Sequence, residues 1–217
     1  MPDWGQIFAD PGMQQLEPNS EVLALVPELK AAGCRLILDA GCGAGRHLLP
    51  LVQEGFQVLG VDQEGVVLAK LKGRLKEYQG RGHLVQADLG RLPFPAASFD
   101  LALSINAINH GYAQTFRDYC RELDRVLKIR GQIFIFGSPR EAGETVRLPR
   151  TRELEPGTLV QIATPDGDLV HHFPTLEELQ AQFLRYRISR LEVIRSSIPF
   201  MGGVELPQFL FLAEKLA

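Results

Sequence analysis

Apolar and polar residues follow two different rhythms along the middle of the chain, and glycines mark the changes between them. Short apolar segments of strand length are typical of strands in a buried sheet. They are found at 35–43, 56–62, 83–88, 98–106 and 131–137. Apolar residues at helical spacing lie between them, at 45–54, 64–79 and 116–127. This alternation with short connections predicts right-handed crossover units, and therefore an α/β fold with a doubly wound, mostly parallel sheet.

The two ends of the chain depart from this alternation. Residues 20–32 carry apolar residues at helical spacing, with Ser20 as a possible N-cap. Pro27 lies inside that segment, so we expect either a kinked helix or two short ones. Near the C-terminus, two further strands are predicted at 187–195 and 208–215.

The segment after the fifth strand interrupts the strand–helix rhythm. Residues 139–157 contain three prolines, two glycines and many charges, which is typical of a lid, a binding loop or a disordered segment. Residues 158–173 predict a hairpin with Asp166-Gly167 at its turn. We therefore expect a single domain over 1–217, with an N-terminal cap region at 1–34 and an inserted hairpin or lid at 139–173.

Composition narrows the class of protein. Hydrophobic residues make up 45% and charged residues 23% of the chain, which predicts an ordered globular protein with a sizeable core. The formal net charge of −3 offers no basic surface, so no nucleic-acid partner is expected. The apolar runs are too short to span a bilayer, and the N-terminus lacks the pattern of a secretory signal. The three cysteines form no CxxC pair, and we expect a cytoplasmic protein with free thiols and no membrane span.

A glycine-rich loop between the first strand and its helix is the most informative motif. Its sequence, from Asp39 to Gly45, is D-A-G-C-G-A-G, which lets a ligand approach the backbone at the carboxyl edge of the sheet. A dinucleotide favours G-x-G-x-x-G, and here the sixth position is Arg46. Asp39 would also repel a pyrophosphate, whereas it suits a ligand with an ammonium group. S-adenosylmethionine carries that ammonium, a sulfonium and no phosphate, and it is the cofactor we expect.

Two further acids follow the next strands. Asp62 ends the second strand and can accept hydrogen bonds from both hydroxyls of a ribose. That role does not discriminate between S-adenosylmethionine and NAD, because both contain such a ribose. Asp88 ends the third strand, where a carboxylate can accept a hydrogen bond from the exocyclic amine of adenine.

Four sequence blocks in this order resemble the class I S-adenosylmethionine-dependent methyltransferases. The blocks are LDAGCGAGRH (38–47), VLGVD (58–62), QADLGRLPFPAASFDLALS (86–104) and RVLKIRGQIFIFG (125–137). The nearest resemblance is to the small-molecule branch, which includes quinone-biosynthesis-like (type 11) enzymes. It implies a seven-stranded, mostly parallel, Rossmann-like sheet with one antiparallel strand near its end.

The resemblance also implies roles for individual residues. The methionine end of the cofactor would be held by Asp39, Gly41, Gly43 and Gly45, and Asp62 would take the ribose. Asp88 and Leu89 would border the adenine, and Ser104 would lie over the cofactor at the end of strand four.

Methyl transfer is an in-line displacement, so the protein must hold donor and acceptor collinear and, for some acceptors, remove a proton. His110 follows strand four on the sulfonium side and is the candidate general base or substrate-orienting donor. A loop histidine bonded to backbone is the alternative interpretation. Tyr112 and His171 are candidate walls of a site for a small-molecule methyl acceptor. No metal site is expected, because the adjacent His171 and His172 have no further ligand at metal-binding spacing.

Other functions remain open from the sequence. A nucleic-acid or protein methyltransferase of the same fold is one alternative, although the segment SINAIN (104–109) lacks the prolines typical of base-amino methylation. A non-catalytic S-adenosylmethionine-binding module is another. An NAD-dependent oxidoreductase is disfavoured by Asp39 and Arg46.

Overall fold

The computed structural model describes residues 16–78, 80–145, 151–164, 167–198 and 204–216. Within these ranges ten strands form two sheets. The strands are β1 (Leu36–Ala40), β2 (Gln57–Asp62), β3 (Gly82–Gln86), β4 (Phe99–Ile105), β5 (Leu127–Gly137), β6 (Arg152–Glu155), β7 (Thr158–Thr164), β8 (Gly167–His172), β9 (Tyr186–Ile198) and β10 (Val204–Lys215).

The larger sheet has seven strands in the order β3-β2-β1-β4-β5-β10-β9. Strand β10 runs antiparallel to both β5 and β9, and the other neighbouring pairs are parallel. This confirms the expected Rossmann-like, mostly parallel, seven-stranded sheet with one antiparallel strand. The strand order reverses between β1 and β4, so a crevice opens at their carboxyl ends.

Helices cover both faces of this sheet. Those in the described residues are α1 (Ser20–Ala24), α2 (Val26–Ala31), α3 (Leu48–Gln53), α4 (Gly65–Leu75), α5 (Ala113–Val126), α6 (Arg140–Thr145) and α7 (Leu176–Ala181), with a 3₁₀ turn at Lys76–Tyr78. The apolar stripe predicted at 116–127 lies on α5 up to Val126, and its last residue, Leu127, is the first residue of β5.

The alternation of side chains in β1 shows how the core divides. Ile37 belongs to a hydrophobic cluster that includes Leu48 of α3 and Leu71 of α4. Leu38 points the other way, into a second cluster that includes Phe116 of α5. Both strand residues are fully buried, because a helical layer covers each face. The strand positions are therefore continuously apolar in sequence.

The helical segment before β1 differs from expectation in its cap. It is divided at Leu25 into α1 and α2, with Pro27 in the first turn of α2, as one of the two predicted alternatives requires. The N-cap, however, is Asn19 rather than Ser20. The Asn19 side chain accepts a hydrogen bond of 2.8 Å from the Glu21 amide, and Ser20 is already the first helical residue.

The helix after β1 begins three residues later than the sequence indicated. Gly45 has a φ of +85°, which is left-handed and incompatible with a right-handed helical turn. Residues 44–47 therefore form turns, and α3 starts at Leu48.

The inserted region is more regular than predicted. The hairpin expected at 158–173 is present as β7 and β8, although residues 165 and 166 of its turn lie outside the described residues. The preceding stretch, expected to be irregular, contributes α6 and β6, and β6 pairs with β7 to give a three-stranded sheet. We call β6, β7 and β8 the lid sheet.

The lid sheet is attached to the segment that follows β4. The Gly111 amide donates a 2.8 Å hydrogen bond to the Val170 carbonyl, and the His172 amide donates one of 2.8 Å to the Asn109 carbonyl. Strand β8 therefore lies at the carboxyl edge of the main sheet, beside the crevice. Across the described ranges, no helix combines the length and the apolar character needed to cross a bilayer.

Candidate functional site

The glycine loop lies between β1 and α3, at the crevice where the strand order reverses. Gly41 has a φ of +79°, and a Cβ placed on it would come within 2.4 Å of the Ala107 Cβ and 3.8 Å of Leu89 Cδ1. Only glycine permits this close approach. The loop, the turn after β3 and the segment after β4 therefore meet at one place, which brings Gly41 close to Leu89.

The amide groups of this loop are used inside the protein. Gly41 and Cys42 both donate to the Val61 carbonyl, at 2.8 and 3.0 Å. The Gly43 amide donates to Asp62 Oδ2 at 2.9 Å, and the Gly45 amide donates to the Cys42 carbonyl at 2.9 Å. A phosphate-binding loop needs amides that point at the ligand. This loop instead directs four of them to protein oxygens.

Asp39 lies near the end of β1, two residues before Gly41. Its carboxylate accepts a hydrogen bond from the backbone of Leu48, the first residue of α3. The side chain is 2% exposed, and within the described part of the chain its Oδ2 has no hydrogen-bond partner. Burial, together with the charge of Asp62, raises the pKa of Asp39 to about 7. A buried acceptor without a donor is unfavourable, so a cationic donor from a ligand would stabilise it.

Gly45 packs closely against α4. A Cβ on this residue would lie 2.4 Å from Leu71 Cδ1 in α4. Packing against α4 therefore requires glycine at this position, whatever contact the Gly45 backbone makes with a ligand.

The two other acids predicted for the site lie along the same edge. Asp62 is half-buried, and its Oδ1 accepts a 3.0 Å hydrogen bond from the Glu64 amide. Burial raises the pKa of Asp62, against three backbone hydrogen bonds that lower it. Asp88 is exposed, and its Oδ1 accepts a 2.6 Å bond from the Gly90 amide, next to buried Leu89. A carboxylate has about four lone-pair sites, so both acids can accept further bonds from a ligand.

Ser104 is the predicted site residue whose position differs most from expectation. It is fully buried, and its hydroxyl donates a 3.2 Å hydrogen bond to the Ala40 carbonyl. The side chain joins β4 to β1 beneath the glycine loop and does not face the crevice. Its predicted place over the cofactor is therefore corrected to a supporting position inside the sheet.

His110 lies on the segment after β4, under the lid sheet. Its Nε2 is 2.8 Å from the Asn106 carbonyl oxygen, which can only accept, so Nε2 carries the proton. Burial foremost, and then nearby His171, hold the pKa of His110 well below its usual value. In this neutral tautomer the lone pair is on Nδ1.

The two histidines that were predicted for the acceptor side are brought together. The rings of His110 and His171 meet edge to face at 4.6 Å, and burial lowers the pKa of His171 to about 4. Tyr112 lies at the rim, 48% exposed, immediately before α5. His172 points away from them and is buried at 1% exposure.

Asn109 is a residue of this site that the sequence reading missed. Its Nδ2 donates to the Ser138 and His172 carbonyls at 3.0 and 2.8 Å, and its Oδ1 accepts from the Ser138 amide at 3.2 Å. One buried amide thus connects the ends of β4, β5 and β8. The available signal was a polar residue in the short segment after β4, four residues beyond the end of that strand.

Comparisons with known proteins agree with this geometry. A family model described as a methyltransferase domain matches residues 37–131. A probable S-adenosylmethionine-dependent methyltransferase of Mycobacterium tuberculosis is 28% identical over 159 residues, which cover 68% of this chain and 56% of that protein. The tRNA U34 carboxymethyltransferase of Shewanella woodyi is 28% identical over 125 residues, covering 56% of this chain and 33% of the relative. The chain therefore spans about half or less of the length of these relatives.

A solved structure shows the same fold. The 1,6-didemethyltoxoflavin-N1-methyltransferase of Burkholderia thailandensis, solved with 1,6-didemethyltoxoflavin and S-adenosylhomocysteine, has a TM-score of 0.66 and 18% identity. The match covers 99% of this chain and 83% of that one. Over residues 37–131 the chain is therefore similar to a methyltransferase domain, and its fold is that of S-adenosylmethionine-dependent methyltransferases. The matched family model spans most of the four sequence blocks that carried the predicted resemblance.

Tyr119 of α5 is a further residue near Asp62 and Asp88 that was not predicted. Burial, with the nearby charges of Asp88 and Asp62, raises its pKa to about 12. Its ring lies about 3.5 Å from where a Cβ on Gly90 would be. In the sequence, Tyr119 is visible only as part of the amphipathic pattern of α5. Among the residues that the structure describes, no group of three or more histidines, cysteines and acids is arranged to hold a metal ion.

The residues directly after the glycine loop contact the segment that precedes α1. The Asn19 amide donates a 3.2 Å hydrogen bond to His47 Nε2, and Arg46 Nε donates to the Glu17 carbonyl. Burial, together with Arg46, lowers the pKa of His47 to about 3, which keeps Nε2 available as an acceptor. Part of the predicted N-terminal cap region, residues 17–19, thus lies against the loop.

Proposed function

We propose that this protein transfers a methyl group from S-adenosylmethionine to a small-molecule acceptor. The observation that carries the proposal is the glycine loop, whose amides are bonded internally while the buried Asp39 Oδ2 faces no donor in the described chain. Such a site disfavours phosphate and favours a ligand with an ammonium group. S-adenosylmethionine has this ammonium and a sulfonium, and no phosphate.

The proposed cofactor contacts follow the order of the strands. The ammonium of the methionine end would bind Asp39, with the backbone of Gly41, Gly43 and Gly45 around it. The ribose hydroxyls would bind Asp62 at the end of β2. The adenine would lie against Leu89, with its amine toward Asp88.

The proposed chemistry needs little covalent help from the protein. When bound, S-adenosylmethionine supplies a methyl carbon whose bond to sulfur breaks as the acceptor atom attacks, leaving a neutral thioether. His110 Nδ1 takes the proton that the acceptor loses, since Nε2 is already donating to Asn106. His171 and Tyr112 form walls of the acceptor site, and the lid sheet excludes water.

A small acceptor is favoured over RNA by charge. The chain has a formal net charge of −3, and a protein that binds RNA through its phosphates normally presents a basic surface. The Burkholderia relative is named for a small heterocycle, whereas the Shewanella relative is named for tRNA. An electrophoretic mobility assay with tRNA at low salt separates the two. Binding that weakens steeply with salt would favour the tRNA alternative. A cytoplasmic location stays a prediction from the sequence.

Calorimetry tests the cofactor. We expect S-adenosylmethionine and S-adenosylhomocysteine to bind the folded protein, and NAD at equal concentration to give no heat. Binding of NAD alone would overturn the assignment of the loop, and the absence of any binding at millimolar ligand would overturn the proposed function.

A turnover assay tests whether the protein is an enzyme or only a cofactor-binding module. The protein is incubated with S-adenosylmethionine and a low-molecular-weight metabolite extract, and S-adenosylhomocysteine is measured by mass spectrometry. We expect product in the extract and none in buffer alone. Cofactor binding without turnover in any fraction would indicate a non-catalytic module. His110→Gln is expected to lower turnover by about 10²-fold or more while leaving S-adenosylhomocysteine affinity unchanged.

A further inference from the structure

Four polar side chains form a continuous hydrogen-bonded chain behind the acceptor side of the crevice. Glu155 Oε1 is 3.0 Å from Thr158 Oγ1, which is 2.9 Å from His172 Nδ1. On the other side of the ring, His172 Nε2 is 3.1 Å from Glu178 Oε1. The chain thus begins in β6, passes through β7 and β8, and ends in α7. At its first end, Glu155 Oε1 also accepts a 2.7 Å hydrogen bond from the amide of Ala113, the first residue of α5.

This hydrogen-bonded chain needs one more proton than its neutral groups provide. It contains three hydrogen bonds, and each requires one proton. The Thr158 hydroxyl supplies one and a neutral His172 supplies one, whereas ionised Glu155 and Glu178 can only accept. A third proton must therefore be held on the histidine or on one of the carboxyl groups. Without it, a carboxylate oxygen and a bare nitrogen or hydroxyl oxygen would face each other at hydrogen-bonding distance.

Opposing groups around the hydrogen-bonded chain act on that proton. Burial lowers the pKa of His172 below its usual value, and the charge and hydrogen bond of Glu178 oppose this shift without cancelling it. Arg140 of α6 lies 4.0 Å from Glu178 Oε2, and Arg117 of α5 lies 3.9 Å from Oε1. On the α5 side, Cys120 is buried near Glu178, and the Phe116 ring lies 5.4 Å from the His172 ring. On the described elements that pack around the hydrogen-bonded chain, the charged and titratable neighbours are therefore Arg140, Arg117 and Cys120, together with Glu155.

The hydrogen-bonded chain is connected to the acceptor side of the crevice through the backbone of His172. The His172 amide donates to the Asn109 carbonyl, and its carbonyl accepts from Asn109 Nδ2. The preceding residue, His171, packs its ring against His110. Fixing the His172 side chain therefore fixes the position of the histidine pair that borders the proposed acceptor site.

We propose that His172 is a positioning residue, and that one shared proton in the Glu155–Thr158–His172–Glu178 chain locks the lid sheet onto the segment carrying His110. The role at the acceptor site rests on the proposed function. With the proton present, all three hydrogen bonds form. When the proton is lost as the pH rises, one bond breaks and the lid sheet loosens from the segment after β4.

Hydrogen exchange of the full-length protein without cofactor tests this lock. The informative amides are those of Gly111 and His172, because both donate between the lid sheet and the segment after β4. Rates are corrected for intrinsic exchange and compared from about pH 5 to about pH 9, a range that brackets the ordinary pKa of histidine. In the wild-type protein we expect local protection to fall about tenfold as the proton is lost.

A matched pair of variants distinguishes the effect of the shared proton from the general effect of replacing a carboxylate in the hydrogen-bonded chain. In Glu178→Gln the side-chain amide supplies the third proton permanently to His172 Nε2, so protection should no longer depend on pH. In Glu155→Gln the amide oxygen keeps both bonds of Glu155 Oε1, to Thr158 and Ala113, and adds no proton to the chain. The Glu155→Gln substitution should therefore leave the pH dependence of the protection as it is in the wild type.

The outcomes are distinct from those that test methyl transfer. Equal pH dependence in the wild type and Glu178→Gln, or no dependence in the wild type, overturns the proposal. If Glu178→Gln fails to fold, the ring ¹⁵N shifts of His172 in the wild type report the same proton. Their failure to change with pH overturns it equally. Because exchange is measured without cofactor, a failure of S-adenosylmethionine to bind would leave this result intact.

Discussion

The Asp62 carboxylate and the Gly43 amide are joined by a hydrogen bond of 2.9 Å between the end of β2 and the loop after β1. The acid that is proposed to bind the ribose therefore also shapes the loop that is proposed to bind the methionine end. Two parts of the cofactor site that are 19 residues apart in sequence are thus one structural unit. A change at Asp62 should act on both.

Asp62→Asn is expected to weaken S-adenosylmethionine binding by about tenfold or more, since it removes a charge and at least one charge-assisted hydrogen bond. Calorimetry of the folded variant measures this. Asp100→Asn is the control, because Asp100 also accepts two backbone amides, from Arg35 and Leu36, at the opposite edge of the sheet. Equal losses in both variants would mean that the effect is not local to the site.

Gly41 and Gly33 provide a second matched comparison. Both have a left-handed backbone, with φ of +79° and +73°. A Cβ on Gly41 would meet Ala107 at 2.4 Å, whereas one on Gly33 would meet no atom of the described residues within 4 Å. Gly33→Ala should cost about 1–2 kcal/mol of unfolding free energy from backbone strain alone. Gly41→Ala should cost more and should abolish cofactor binding, as measured by urea unfolding and calorimetry. Equal costs would argue that the loop relaxes away from Ala107.

The main sheet was predictable because each of its central strands is buried on both faces. Ile37 and Leu38 enter opposite clusters, so the apolar run reveals the strand without any alternation. The inserted region was harder to predict, since β6 has the sequence RELE and is largely exposed. The pairing of β6 with β7 depends on a tertiary contact, and no local sequence pattern predicts it.

The positions of the candidate site residues were also only partly predictable. That Asp39, Gly41 and Asp62 lie at one edge could be predicted, because the carboxyl ends of parallel strands meet there, and their roles toward the cofactor stay predictions. The direction of the Ser104 side chain could not, because β4 is buried on both sides and offers no polar face as a guide. The pairing of His110 with His171 depends on how the lid sheet packs against the segment after β4, which the sequence does not specify.

Ser104→Ala tests the corrected role of this residue. Its hydroxyl bonds the Ala40 carbonyl inside the sheet, so its removal should lower the unfolding free energy by about 1 kcal/mol. Affinity for S-adenosylhomocysteine should stay within about twofold of wild type, an allowance well below the cost of a lost hydrogen bond. A large loss of affinity with unchanged stability would return Ser104 to direct contact with the cofactor.

Asp39 makes the stability of the empty protein depend on pH. Its pKa is about 7 in the folded state, against an ordinary value of 3.8, so the folded protein binds more protons between these values. Stability should therefore fall as the pH rises from about 4 to about 7. Asp39→Asn cannot titrate, and it should become more stable than wild type by about 1–3 kcal/mol at neutral pH, with a much smaller difference near pH 4. Urea unfolding at both pH values measures this, and a difference independent of pH would contradict it.

The same acid should couple cofactor binding to proton release. Below about pH 7 the empty protein holds a proton on Asp39, and a bound ammonium would favour the ionised form. At about pH 6 the free ligand's α-amino group is already protonated, so it takes up no proton on binding. Calorimetry in two buffers of different ionisation enthalpy should then show release of up to about one proton per S-adenosylmethionine bound. Asp39→Asn should remove the buffer dependence of the heat while weakening binding. Heats that are equal in both buffers for the wild type would mean that the ammonium does not bind Asp39.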